Sequence, residues 1–326
     1  MTHHTPTAGL SRRRLLAAGL MLGSLPAWAQ GLPQATHREV DFDWLDTGRE
    51  RPVPARLYWP HATSGAVPLV VFSHGIGGSR RGYSYLGRHW ASHGYASLHV
   101  QHVGSDSALW SGNPFAVVSR LQAAAQEREA IARVKDVRFA LDRVTELAPH
   151  QLGAAIDTRR IVAAGHSYGA NTSLLAVGAR VTRGDQWLEF RDPRFTAAVV
   201  ISAPPFYGEN DLPSVLGRVA VPTLHVTATE DVIQIPGYRS GAMDRLAVFD
   251  AVADRRKLLV VYEGGSHSIF TDRAGTGGHA LNPRVKAATK DLALAFFARS
   301  FEGDAAHLTR WGETWKPLLA MPLNLG

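Results

Sequence analysis

The sequence predicts an α/β domain: a mainly parallel sheet covered by helices on both faces. Three observations carry this. Short, continuous apolar runs (Leu69–Phe72, Ala197–Ser202, Val221–Thr227 and Leu258–Tyr262) alternate with segments of helical periodicity, the pattern of strands buried on both faces. A glycine-rich loop, Ser73-His74-Gly75-Ile76-Gly77-Gly78-Ser79-Arg80, follows the first of these runs. Finally, Gly165-His166-Ser167-Tyr168-Gly169 stands between an apolar run and a small-residue, leucine-bearing segment, which reads as strand, sharp turn and helix.

The chain has 326 residues and a formal charge of +7. Ser11-Arg12-Arg13-Arg14-Leu15-Leu16, an apolar run to Leu25 and Ala27-Trp28-Ala29 before Gln30 read as a twin-arginine-type export signal over residues 1–29. Its removal takes away three arginines and no acids, lowering the charge to +4 on one domain, residues 30–326. That charge, without a basic run interleaved with aromatics, argues against nucleic-acid binding. No later run predicts stable membrane insertion. The absence of cysteine excludes disulfides and thiol chemistry.

The elements follow in order. Val40–Trp44 alternates apolar and polar residues, and Arg51–Trp59 is a second strand whose prolines place it near a sheet edge; together they form an antiparallel start. Tyr83–His93 is a helix stopped by Gly94, and Tyr95–Val100 a strand. His99 and His102 near its end lack a third donor at metal-site spacing and read as structural, and no metal is expected. Asp106 reads as a solvated loop carboxylate. Ser119–Leu147 is one long helix with Ile131, Val134, Val137 and Leu141 on its buried face. Thr182–Pro193 is a polar excursion, Lys286–Phe301 a closing helix and residues 302–326 a surface-packed tail.

Ligands of such sheets sit beyond the carboxyl ends of the strands. The glycine-rich loop, Ser167, Asp231 and His267 all follow predicted strands, so four candidates meet at one edge. The loop lacks the Gly-Lys-Ser/Thr of a phosphate loop and the third glycine of a dinucleotide fingerprint. It suits an oxyanion hole, with donors at the backbone N–H groups of Ile76 and Tyr168. A serine hydroxyl needs an imidazole base, and the base needs a carboxylate that fixes its tautomer. The order Ser167, Asp231, His267 is that of strand-turn-helix serine enzymes. Glu230 adjoins Asp231 and competes with it as the acid; Asp231 is favoured because it is shorter and deeper in the loop. Glu209 and Asp211 are more remote rivals. Trp110, Phe206, Tyr207, Ile233 and Phe270 are candidate walls of an apolar substrate pocket.

With these residues in view, the chain after the signal resembles the α/β-hydrolase family. Ser73–Gly78, Val137-Arg138-Phe139-Ala140-Leu141-Asp142 and Gly165–Gly169 are similar to the branch containing platelet-activating-factor acetylhydrolase and bacterial dienelactone-hydrolase-like proteins. The resemblance implies an eight-stranded fold, a serine triad, no cofactor and ester substrates. It puts the nucleophile at Ser167, the base at His267 and the oxyanion donors at Ile76 and Tyr168. Two departures stand out. Dienelactone hydrolases use a cysteine nucleophile, which this chain lacks. The acetylhydrolases carry their acid one strand earlier, where this chain has Ser202-Ala203-Pro204; Thr227–Asp231 instead resembles cutinase-like polyester hydrolases.

The leading expectation is an exported, periplasmic or extracellular serine hydrolase of carboxylic esters, working through an acyl-enzyme on a small-molecule, lipid or polymer ester. A peptidase, amidase or thioesterase on the same triad is the alternative. A non-catalytic binding member of the fold is the third reading.

Overall fold

The computed structural model describes residues 1–2, 36–61, 65–146, 149–235 and 238–323. The expected export signal lies outside the described residues. From Thr36 onward the chain forms one compact unit.

Eight strands make the central sheet among the described residues: β1 His37–Asp46, β2 Arg51–Pro60, β3 Val67–Ser73, β4 Ala96–Val100, β5 Ile156–His166, β6 Ala197–Ile201, β7 Thr223–Glu230 and β8 Lys257–Ser266. Their order is β1-β2-β4-β3-β5-β6-β7-β8. The expected antiparallel start is present, because β2 runs antiparallel to both β1 and β4 and every other pairing is parallel. Pro52 and Pro54 lie beyond the stretch Ala55–Tyr58 that pairs with β4, so their missing N–H groups leave that ladder intact.

Alternate residues of each strand feed two separate cores. Leu69 and Val71 join one with Val134, Val137, Leu141 and Leu174. Val70 and Phe72 join the other with Trp90, Val162, Leu292 and Phe296. The first face is covered by α3 Glu127–Thr145, α4 Tyr168–Val177 and α5 Ala242–Ala251. The second is covered by α1 Ser84–Ser92, α6 Leu281–Glu302 and α7 Ala306–Trp315. Burial on both faces explains why the strands read as unbroken apolar runs.

One expectation is corrected and two gain detail. The predicted helix Ser119–Leu147 is two helices, α2 Val117–Ala124 and α3, with Gln126 extended between them at ψ 153°. α2 packs Leu121 and Ala124 against Leu109 and Ile76, whereas α3 packs on the sheet, and one straight helix cannot serve both surfaces. The polar excursion contains a hairpin, Arg180–Arg183 with Gln186–Glu189. The tail forms α7, whose Trp311 is buried and donates its indole N–H to the Ala288 carbonyl at 2.8 Å. Among the described residues no helix is long and apolar enough to cross a membrane.

Candidate active site

Ser167 ends β5 and begins α4 in a strained conformation, φ 57° and ψ −123°. Such a turn works only if its neighbours let strand and helix approach closely. A β-carbon on Gly165 would fall on the Gly169 backbone, and one on Gly169 would fall on the Ser73 and His74 carbonyls. Both glycines are therefore required by backbone contact.

Ser167 Oγ lies 2.8 Å from His267 Nε2, and His267 Nδ1 lies 2.7 Å from Asp231 Oδ1. The ends of β5, β7 and β8 thus bring the three predicted side chains into one hydrogen-bonded line. Asp231 is fully buried, whereas Glu230 is exposed. Burial by itself raises the Asp231 pKa. The His267 hydrogen bond and charge outweigh it, with the Arg245 cation behind them, and hold the carboxyl well below the usual carboxylate range. Thr227 Oγ1 donates to Asp231 Oδ2 at 2.8 Å, and Arg245 Nη2 sits 3.6 Å from Oδ1. With both its oxygens engaged and its charge retained, this carboxylate can hold one imidazole tautomer and stabilise the imidazolium.

The opposite side of Ser167 is the loop after β3. Among the described residues neither the N–H of Ile76 nor that of Tyr168 has an internal acceptor, and Tyr168 is the first residue of α4, where the helix dipole favours negative charge. Sequence reasoning missed what lies beneath. Arg133, fully buried on α3, donates to Thr172 Oγ1 at 3.1 Å, Ser105 Oγ at 2.8 Å, Ser73 Oγ at 3.2 Å and the His74 carbonyl. Its guanidinium carbon lies 4.4 Å from the centre of the Tyr168 ring. Burial lowers its pKa to about 10, which leaves it charged at neutral pH.

Ser73 Oγ also meets His102 Nε2 at 2.8 Å, and His102 Nδ1 meets Asp136 Oδ2 at 3.1 Å. This is a second serine–histidine–aspartate line, but all three residues are buried and it braces the loop. His99, the other histidine weighed as a ligand, bonds the Gly82 carbonyl and Ser97 Oγ. Asp106, read as a solvated carboxylate, is buried; it accepts from Gln101 at 2.7 Å and caps the turn Ser107–Trp110. The available signal was positional: Arg133 sits on the same stripe of α3 as Val137, Ala140 and Val144, and a charge on an apolar stripe needs buried partners.

The candidate pocket residues separate into two groups. Trp110 is half exposed and donates to the Gly77 carbonyl at 2.9 Å, beside the loop. Tyr207 is exposed after β6, 6.4 Å from the Tyr238 ring, and Ile233 is partly exposed in a short hairpin after Asp231. Phe206 and Phe270 are corrected: both are core residues. Phe206 packs into the α3–α4 face. Phe270 is 0% exposed against Tyr262 and His166, because the turn His267–Phe270 directs it down into the sheet.

Residues 48–138 match the family model of platelet-activating factor acetylhydrolase, isoform II. The chain is 29% identical over 147 residues to the platelet-activating factor acetylhydrolase of Cavia porcellus, covering 37% of this chain and 34% of that protein. It is 27% identical over 180 residues to that of Canis lupus familiaris, covering 46% and 38%. The match therefore spans little more than a third of the length of these curated relatives. Among solved structures, a ferulic acid esterase from Streptomyces cinnamoneus is similar with a TM-score of 0.61 and 20% identity, over 85% of this chain and 93% of that one. A putative dienelactone hydrolase from Klebsiella pneumoniae subsp. pneumoniae gives 0.55 and 19%, over 80% and 99%. With the sheet order above, these likenesses show the α/β-hydrolase fold.

Proposed function

We propose that this α/β-hydrolase chain is a serine hydrolase of carboxylic esters. Ser167 is the nucleophile, His267 the base and Asp231 the acid. The N–H groups of Ile76 and Tyr168 are the oxyanion donors. The observation that carries the reading is the unbroken line Ser167 Oγ–His267–Asp231, with links of 2.8 and 2.7 Å, on a strained strand-to-helix turn.

In this reading Ser167 Oγ attacks the acyl carbon as its proton passes to His267 Nε2. The carbonyl oxygen gains negative charge between the two N–H donors, each worth about 2.7–4 kcal/mol in the transition state. Collapse expels the alcohol, which takes the proton from His267 and leaves the acyl-serine. Water, deprotonated by the same imidazole, then releases the acid. Ester chemistry is favoured by the relatives, which are named as acetylhydrolases and a ferulic acid esterase. Trp110 offers an apolar surface beside the oxyanion loop for the acyl or aryl group. The arginine-led segment over residues 1–29 supports export ahead of this one catalytic domain.

Purified protein and its Ser167→Ala variant are assayed on aryl esters of increasing acyl length, with matched anilides. Ester turnover that vanishes in the variant is the expected result, and the chain-length optimum then sizes the pocket. Turnover that survives Ser167→Ala refutes the assignment. Preferential turnover of the anilides would move the protein to the amidase reading.

A further inference from the structure

We propose that Tyr83 and His166 form a positioning pair that ties the oxyanion loop to the turn carrying the base. The inference rests on the serine-hydrolase reading above and deepens it. Both residues are buried, and neither takes part in the proton transfers described.

The contacts run across the site. Gly75 N lies 3.3 Å from Tyr83 Oη, Tyr83 Oη lies 2.8 Å from His166 Nδ1, and His166 Nε2 lies 3.0 Å from the His267 carbonyl oxygen. Every proton in this line has one place. A carbonyl only accepts, so His166 Nε2 carries the hydrogen. Burial, with the His267 charge beside it, pushes the His166 pKa down to about 3, so the ring is neutral and Nδ1 is bare. Tyr83 O–H therefore donates to Nδ1, and its lone pair accepts the Gly75 N–H.

The two ends of the line are parts of the machinery. Gly75 immediately precedes Ile76, whose N–H is an oxyanion donor. The carbonyl at the other end belongs to His267 itself, and His166 is the residue before Ser167. Tyr83 holds φ 58°, as Ser167 holds φ 57°, a conformation that side chains beyond glycine seldom adopt and that persists only where surrounding contacts impose it. Phe72 packs its ring 4.8 Å from the Tyr83 ring and supports it from the core. The pair thus sets the distance between the place where the oxyanion forms and the imidazole that moves the proton. Both matter more in the transition state than in substrate binding.

The test compares the full-chain protein with Tyr83→Phe, which deletes one oxygen and keeps the ring. Active sites are counted with a fluorophosphonate, and kcat is expressed per titrated site. The expected result is a kcat lower by about tenfold, KM within about twofold, and a similar loss of affinity for an arylboronic acid, a transition-state mimic. A kcat per titrated site and a boronate affinity equal to wild type would overturn the pairing, whatever happens to yield or melting temperature. If Tyr83→Phe does not fold, nitrogen-15 histidine spectra of the unaltered protein decide: His166 should be the neutral Nε2–H tautomer and should not titrate between pH 6 and 9. An Nδ1–H tautomer or a titrating ring overturns the proposal. Ser167→Ala separates the two levels. If it is inert while Tyr83→Phe is wild type, only the pair is wrong; if it still turns over ester, the serine reading falls and the pair with it.

Discussion

Mild acid should unfold this protein over a narrow range, and the cause is five buried histidines. His74, His99, His102, His166 and His225 are each at most 4% exposed. Burial is the largest influence on all five and lowers their pKa; the Arg133 charge adds to it at His74 and His102, and the Lys257 charge at His225. His99, His166 and His225 fall to about 3, and His74 and His102 well below their ordinary value. In the unfolded chain each ring binds a proton near pH 6.5. Between about pH 6.5 and 3 the unfolded state therefore holds more protons than the native state, and stability drops as pH falls. Each ring that stays neutral in the native state removes about 1 kcal/mol by pH 5.5, so the five together remove several kcal/mol, a large part of the 5–15 kcal/mol that holds a typical domain together. The expected acid midpoint lies at about pH 5–5.5. Urea titrations followed by tryptophan fluorescence should show the unfolding free energy dropping by about 4 kcal/mol from pH 7.5 to 6.0. His225→Leu, on β7, should flatten that slope by about one fifth. An unfolding free energy that is level across this range, or a native far-ultraviolet spectrum at pH 4.5, refutes the reasoning.

Two further outcomes test the acid and its surroundings. Asp231→Asn should lower kcat by about 10³–10⁴-fold by leaving the imidazole in the wrong tautomer, whereas Glu230→Gln, exposed and outside the line, should stay within about twofold; the reverse order in steady-state kinetics would move the acid to Glu230. Arg133→Met should destabilise the fold by about 2–4 kcal/mol, since it strips donors from Ser73, Ser105, Thr172 and the His74 carbonyl at once, and a urea midpoint equal to wild type would contradict the bracing role given to it.

How far the sequence carried depended on whether a residue's role is local. The strands were legible because burial on both faces writes itself as unbroken apolar runs. Ser167 was legible because Gly165 and Gly169 are demanded within five residues of chain. Asp231 and His267 could be placed because both follow apolar runs at the same sheet edge. The Phe206 and Phe270 assignments failed for a physical reason: an aromatic after a strand can turn up toward substrate or down into the core, and composition does not distinguish the two. Arg133, Asp136 and Arg245 were not found because their partners are remote in sequence; Arg133 reaches back 60 residues to Ser73 and forward 39 to Thr172. The break at Gln126 has no glycine or proline to mark it and arises from the two directions in which α2 and α3 must bury their apolar sides.

The placement of the buried cations follows from the chemistry at each end of Ser167. In the proposed mechanism Asp231, the acid, must stay ionised while fully enclosed, or the imidazolium formed during attack has no counter-charge. Burial alone pushes its pKa up and favours the neutral acid. Arg245, itself only 3% exposed, stands 3.6 Å from Oδ1 and opposes that tendency, while Thr227 occupies Oδ2. At the proposed oxyanion end the requirement is different: two backbone N–H groups from elements far apart in sequence would have to hold one spacing. Arg133 meets it by gripping the Ser73–His74 loop with one edge of its guanidinium, Thr172 of α4 with another and the Tyr168 ring with its face. At Arg133 a lysine could replace the charge but not the planar fork that reaches Ser73, His74, Ser105 and Thr172 at once. Arginine is therefore the residue that position 133 requires, whereas Arg245 acts on Asp231 through its charge, and the loops at this sheet edge are held by charge as well as by packing.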